Sequence, residues 1–391
     1  MRIRRCSAIL IDPREIVRFD LESLSHGGSG LTRTVEWVVL APHLGVEIVV
    51  SEAELVVLGA MSPSQWVDLG AMPHDQRPIA ERLLEMGLLV IDKAAEGGDA
   101  CRDARYRQVH WHALAGVLHA FTRWDGVDAE RSMRELGMLT AKGLEERLGK
   151  PPAAVEGAAE KRVPLPAVEA TDFDALLLRR ATCRNFDPGR PLTVELLSQL
   201  LHRVFGAQGQ VAATPDTVFL KKNSPSGGGL HPVEAYIIVQ HVRDMEPGLY
   251  HYRPVDHALT PLAWTGSDLR GLALSCVAQQ HWFADAHVLV VLAPRFDRTF
   301  WKYRHHAKGY RVVALEAGHL SQTLYLSATE AGLGAFITGA INEVQIEEAF
   351  GLDPIHQGAL AICGFGWRSQ TMETAELDPA GHVWEAAQRE F

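Results

Sequence analysis

The sequence predicts an α+β protein built in two unequal parts, and three observations predict it. From Asp172 onward, strand-like apolar runs and amphipathic helical segments are interleaved in a mixed order that suits a sheet layered with helices. Residues 1–95 show strand-like runs, then helices, then a closing strand, which suggests a winged-helix-like arrangement. Between the two parts, GKPPAAVEGAAEKRVPLPAVEATD is rich in Pro and Ala with little periodicity, so a linker is placed at 151–170.

Taken in order, RRCSAILI, RTVEWVVLAP and HLGVEIVVS carry strand character. SEAELVVLGAM turns helical, followed by helices expected around Ser64–Met72 and Arg77–Met86, and GLLVID closes as a strand. The RPIAERLLEMG helix carries as many acidic as basic residues, so a peptide partner suits this module better than a phosphate backbone. A packing or dimerisation appendage is the alternative. Residues 96–150 hold two expected helices, VHWHALAGVLHAFTRW and RSMRELGMLTAKGLEERLG. His110, His112 and His119 do not make a metal site in this reading, because i and i+2 lie on different helix faces and no acidic ligand completes a set.

In the second part, expected over 171–370 with a tail at 371–391, DFDALLLRR and VELLSQLLHRVFGA are helical. VEAYIIVQHV is a strand, GLYHYRPVDHALTPL a hairpin, DLRGLALSCVAQQHW a helix and HVLVVLAP a buried strand. One long helical stretch is expected from about Phe300 to Gly332. AFITGA then makes a turn or short strand, VQIEEAFG a helix and GALAICGFG the last strand.

Composition narrows the function classes. A net charge of −10 over 391 residues argues against general affinity for nucleic acid or anionic membranes. Five scattered cysteines without a C-x-x-C pair favour neither a disulfide framework nor zinc, and suit a reducing cytoplasm. No stretch approaches the about eighteen apolar residues that a membrane helix requires.

Three constellations carry chemistry. RRATCRNF places Arg179, Arg180, Arg184 and the Thr182 hydroxyl within six residues at a break between elements, and guanidinium forks grip phosphate. NSPSGGGLHPVEAYIIV sets three glycines just before a strand, where backbone N–H groups can approach a flat ligand; an ordinary tight turn is the alternative. In TFWKYRHHAKGYRVVALEAGHLSQ, Lys302 and Tyr303 are adjacent at the expected start of the long helix. They form an acid–base pair if burial lowers the lysine pKa, and otherwise a lysine lying beside a core tyrosine. Ala314, Ala317, Gly318 and Ala328 along that helix permit close helix packing.

RRATCRNF, SPSGGGLHPVEAYIIV followed by GLYHYRPVDHAL, and AGHLSQTLYLSATEAGLGAFITGAINEVQIEEAFGL together resemble the FMN-dependent nitroreductase superfamily, in its SagB-type, peptide-maturing branch, over roughly Asp172 to Arg368. RRATCRNF is similar to that family's R-R-S-x-R-x-F opening, with Thr182 where Ser is common. The resemblance implies a C-terminal FMN domain with a mixed sheet flanked by helices, dimeric, with a flavin at each subunit interface. It implies that Arg180, Thr182 and Arg184 hold the FMN phosphate, with Arg368 adding a looser contact. Pro225, Ser226, Gly227 and Gly228 would line the isoalloxazine ring, and the glycines would be there because a side chain would collide with it. Gly339 and Ala340 would present N–H groups near flavin N5, and Lys302 and Tyr303 would be the catalytic pair. The implied activity is oxidation of azolines to azoles in a ribosomally made precursor peptide, with a leader-binding N-terminal module and a cyclodehydratase partner. Reduction of dehydroamino acids, nitro groups or other activated double bonds with NAD(P)H is the alternative chemistry. A non-catalytic leader-docking partner is the alternative class, and a winged-helix transcription factor the weakest.

Overall fold

The computed structural model describes residues 1–92, 97–155 and 162–384, in which the chain divides into two compact units. Residues 156–161 of the expected linker and 385–391 of the expected tail lie outside the described residues. The first unit comprises Met1–Arg123, Arg295–Arg311 and Asp353–Gln357; the second comprises Trp124–Pro294, Val312–Leu352 and Gly358–Phe391. Among the described residues no helix is long and apolar enough to cross a membrane.

The first unit contains two antiparallel three-stranded sheets. Strand Arg2–Arg5 lies between Val67–Asp68 and Leu89–Ile91, and strand Leu31–Leu40 lies between Leu10–Phe19 and Glu47–Val50. Helix Glu52–Ala60 starts at a capping box in which Ser51 and Glu54 satisfy each other's backbone N–H groups. Glu54 is buried and pairs with Arg82 of helix Arg77–Glu85 at 3.0 Å. Pro78 sits in the first turn of that helix, where its missing N–H has no partner to lose. Ile3, Val39, Leu58, Leu83 and Leu88 fill the core. Asp103, fully buried, accepts from Arg4 Nη2 at 2.7 Å and Ser7 N at 2.5 Å, and so ties the first strand to helix Asp99–Val109.

Several expected helices are interrupted, each for a local reason. Residues 64–72 are a two-residue strand and a 3₁₀ turn, because Pro63 and Pro73 bracket them and Val67–Asp68 pairs with Arg2–Ile3. His110 has φ +62° and caps helix Asp99–Val109, so the segment expected as one helix over 109–124 becomes that helix's end followed by Ala113–Phe121. Gly137, at φ +70°, separates Ala129–Glu135 from Ala141–Leu148 in the second unit. The long helix expected from about Phe300 is two helices, Phe296–Lys302 and Gly309–Glu330. His305 breaks it: at φ +52° it donates its N–H to His110 O at 2.9 Å and places Nδ1 3.1 Å from Trp111 O. Lys302 therefore ends a short helix and Tyr303 caps it, rather than opening the long one.

His119 belongs to this unit's aromatic cluster. Its ring stacks on Trp111 at 5.3 Å and meets Phe296 edge-on at 4.7 Å, with Nε2–H donating to Pro354 O at 3.1 Å. Burial holds its pKa down at about 3, from an ordinary 6.5. A depressed folded-state value means that the unfolded chain takes up the proton first. The stabilisation is thus whole above pH 6.5 and is lost as pH falls toward 3, at about 1.4 kcal/mol per pH unit for one proton. Urea unfolding followed by tryptophan fluorescence checks this. Between about pH 7.5 and about pH 5, His119→Phe is expected to lose about 2 kcal/mol less stability than the parent protein; parallel losses contradict it.

In the second unit, a six-stranded sheet runs in the order Ala258–Pro261, Gly248–Arg253, Val233–Val239, Val288–Pro294, Ala361–Gly366, Gly334–Thr338. These pairs are antiparallel, and a parallel bridge from Thr182 to Ala335 supplies the mixed character at the edge. Val288–Pro294 is buried at every residue, as its unbroken apolar run requires. Val288, Val290 and Leu292 pack with helices Val194–Phe205 and Gly309–Glu330 on one face. Leu289, Val291 and Ala293 pack with helices Leu269–Cys276 and Glu343–Phe350 on the other. A hairpin, Gly209–Thr214 with Thr217–Lys221, had no sequence expectation behind it.

Candidate functional site

Helix Gly309–Glu330 organises the site, because the arginine-rich stretch, the glycine loop and the strand leading to the 339–340 turn all bond to it. Ser224 Oγ lies 2.8 Å from Thr323 Oγ1, His319 Nδ1 lies 3.2 Å from Pro225 O, and Ser226 Oγ donates to Glu316. Glu316, His319 and Thr323 are spaced by three and four residues, so they share one helix face. Tyr325 serves the other two segments. Its hydroxyl lies 3.0 Å from Thr182 Oγ1 and accepts from Ile337 N at 3.2 Å, and its ring lies under the Arg180 guanidinium at 5.3 Å.

Arg180 and Thr182 are half-buried where the chain leaves helix Asp172–Arg179. Beyond its stacking on Tyr325, the Arg180 guanidinium has no hydrogen bond or ion pair among the described residues. A Tyr325 proton directed at Thr182 Oγ1 leaves the threonine proton for an outside acceptor. Arg184 spends one donor, Nη1 to Ala375 O at 3.3 Å. Two guanidinium groups with free donors and a hydroxyl are the donor set of a phosphate cradle.

Arg368, expected as a looser phosphate contact, has partners within the protein. Its Nη1 is ion-paired with Glu376, which is fully buried, and its Nη2 reaches Ala181 O at 3.3 Å. Glu376 Oε1 also accepts from Arg184 N at 2.5 Å, Asn185 N at 3.0 Å and Asn185 Nδ2 at 2.9 Å. Its Oε2 accepts from Trp384 Nε1 at 2.8 Å. Arg368 and Glu376 thus fasten residues following the last strand onto the arginine-rich stretch.

The glycines have reasons internal to the protein. Gly228 and Gly229 have φ of +67° and +68°, a region that L side chains rarely adopt. A Cβ on Gly227 would stand 2.0 Å from Val312 Cγ1. Collision with a ligand is therefore not needed to explain them, although Pro225 and Gly228 are exposed. Gly339 is exposed and a Cβ there would meet nothing within 4 Å, whereas the Ala340 N–H donates to Thr338 Oγ1 at 3.2 Å. Lys302 and Tyr303 lie in the first unit, Lys302 exposed, with Nζ 5.7 Å from the Tyr303 ring centre.

Residues 177–367 match the family model described as Nitroreductase family. A protein of Methanocaldococcus jannaschii named as a nitroreductase is 31% identical over 188 residues, covering 48% of this chain and 87% of the relative. The chain belongs to the nitroreductase family. The microcin B17-processing protein McbC of Escherichia coli is 25% identical to this nitroreductase over 186 residues, 46% of this chain and 65% of McbC. A chain of the E. coli microcin synthetase McbBCD complex, solved with truncated pro-MccB17 bound, superposes with a TM-score of 0.48 at 20% identity. That superposition covers 68% of this chain and 94% of the other.

The residues missed by sequence reasoning in this nitroreductase are Tyr325, Glu316, Asn185 and Glu376. The polar positions 316, 319 and 323 at three- and four-residue spacing were a visible signal. Nothing local marks Glu376 as the acceptor for Arg184 and Asn185, which lie far away in sequence.

Proposed function

We propose that this nitroreductase binds FMN and oxidises azoline rings to azoles in a ribosomally made precursor peptide. The observation that carries the flavin reading is the Arg180–Thr182–Arg184 donor set with unspent hydrogen bonds, at one end of a helix that also anchors an exposed glycine loop. The peptide-maturation reading is supported by the likeness to a microcin B17-processing protein. Arg180, Thr182 and Arg184 hold the phosphate; Pro225, Ser226, Gly227 and Gly228 border the ring, and the Gly339–Ala340 turn offers its backbone toward it. When bound, FMN supplies the two-electron acceptor that takes hydride from Cβ of the azoline. Lys302 or Tyr303 removes the Cα proton, so that aromatisation is complete when both hydrogens have left.

The same proposal assigns residues 1–95 to leader-peptide recognition and 171–370 to catalysis, with a cyclodehydratase supplying the azoline. It assigns homodimerisation to the helix face formed by Ala314, Leu315, Gly318 and Gln322, all exposed, Leu315 at 63%. The proposal places the protein in a reducing cytoplasm, which its five scattered cysteines suit.

The purified protein is expected to be yellow and to release FMN on denaturation. Incubated with a cyclodehydrated precursor peptide, it is expected to remove two hydrogens per ring by mass spectrometry. Lys302→Ala is expected to keep its flavin and to lose turnover by about a hundredfold or more. A protein that stays colourless when mixed with FMN, or a peptide that gains two hydrogens, contradicts the corresponding half of the proposal.

A further inference from the structure

We infer that Glu316 sets the shape of the glycine loop, and is thereby a positioning residue for the flavin site proposed above. Its carboxylate is 2% exposed on a helix whose neighbouring positions Val313, Ala317 and Leu320 are core. Burying a carboxylate is unfavourable unless donors compensate it, and both groups that hydrogen-bond Glu316 come from the ends of one loop. Ser226 Oγ donates to Oε2, and Val233 N donates to Oε1 at 3.3 Å. Ser226 Oγ in turn accepts from His231 N at 2.9 Å, so one carboxylate organises the loop at residues 226, 231 and 233. Lys222, itself buried, and His319 lie near enough for their charges to favour the carboxylate, while burial pushes its pKa up.

Leu230 is also buried, so the loop is seated as well as tied at its ends. Gly228 and Gly229 are in the left-handed region, where the unfolded chain has most freedom to lose, and Gly229 N to Ser226 O at 3.1 Å is a single turn bond within it. Such a segment holds a ligand-ready shape only if its ends are fastened. Glu316 fastens both ends to a helix that also carries His319, bonded to Pro225.

Amide hydrogen exchange on the FMN-free protein tests this without any activity. Glu316→Ala is expected to speed exchange at His231 and Val233 by about tenfold or more, with Val288–Pro294 unchanged. Glu316→Gln is expected to restore protection, since its carbonyl accepts from Val233 and its amide donates to Ser226 Oγ. FMN titration of the same proteins is expected to show about tenfold or weaker affinity for Glu316→Ala, and near-parent affinity for Glu316→Gln. Should Glu316→Ala not fold, Ser226→Ala removes the same link from the loop side and is expected to loosen His231. Parent-like protection in the alanine variants, loosening that spreads through the whole sheet, or no rescue by glutamine overturns the inference. A parent protein that binds no FMN sinks the flavin reading instead, and the exchange measurements still decide on Glu316.

Discussion

Replacing Arg368 with alanine is expected to lower the stability of the second unit by about 3 kcal/mol or more, whether or not a cofactor is present. The reason is the carboxylate that it would abandon. Glu376 is fully buried, and Arg368 is the cation paired with it. Without the guanidinium, the remaining donors, the Arg184 and Asn185 amides, Asn185 Nδ2 and Trp384 Nε1, solvate the charge but do not neutralise it. The effect reaches the proposed phosphate cradle through the backbone, since Arg184 N and Asn185 N are two of those donors. Denaturation of FMN-free protein separates this from the expectation that Arg368 is a phosphate contact. A phosphate contact predicts weaker FMN binding at unchanged stability, whereas the Glu376 pair predicts loss of stability first.

Gly227→Ala is expected to destabilise the same unit by about 1–3 kcal/mol and to weaken FMN binding along with it. The added methyl would stand 2.0 Å from Val312 Cγ1, well inside contact distance. Val312 cannot swing away cheaply, because a β-branched side chain in a helix has essentially one χ1 rotamer. Loop or helix must therefore shift. The double variant Gly227→Ala/Val312→Ala removes the obstruction and is expected to recover most of the stability by thermal unfolding. Failure to recover would falsify the steric account. A β-branched residue at Gly228 is a different case, since φ +67° there strains the backbone by about 1–2 kcal/mol whatever the space around it. Both folding and flavin binding are then expected to suffer.

Much of the second unit was legible because its signals are local. HVLVVLAP is an unbroken apolar run and became the strand buried at every residue; VELLSQLLHRVF has helical periodicity and became a helix with one face in the core. RRATCRNF and the glycine loop could be picked out for the same reason: each is contiguous and shows its residue types in its own letters. The failures share a cause as well. His305 stands in a segment with helical character, and only its bonds to His110 and Trp111, about two hundred residues away along the chain, reverse the backbone there. That reversal moved Lys302 and Tyr303 off the long helix and onto the end of a short one.

By itself, then, the sequence determined the α+β class, the family resemblance and the candidate residue types for the proposed site, because those depend on composition and short-range order. Tertiary structure decided what each residue is bonded to. It gave Asn185 to Glu376, Thr182 and Arg180 to Tyr325, and the two ends of the glycine loop to Glu316. A hydrogen bond is specified by where two distant segments meet, and that is a property of the packed chain rather than of either segment alone.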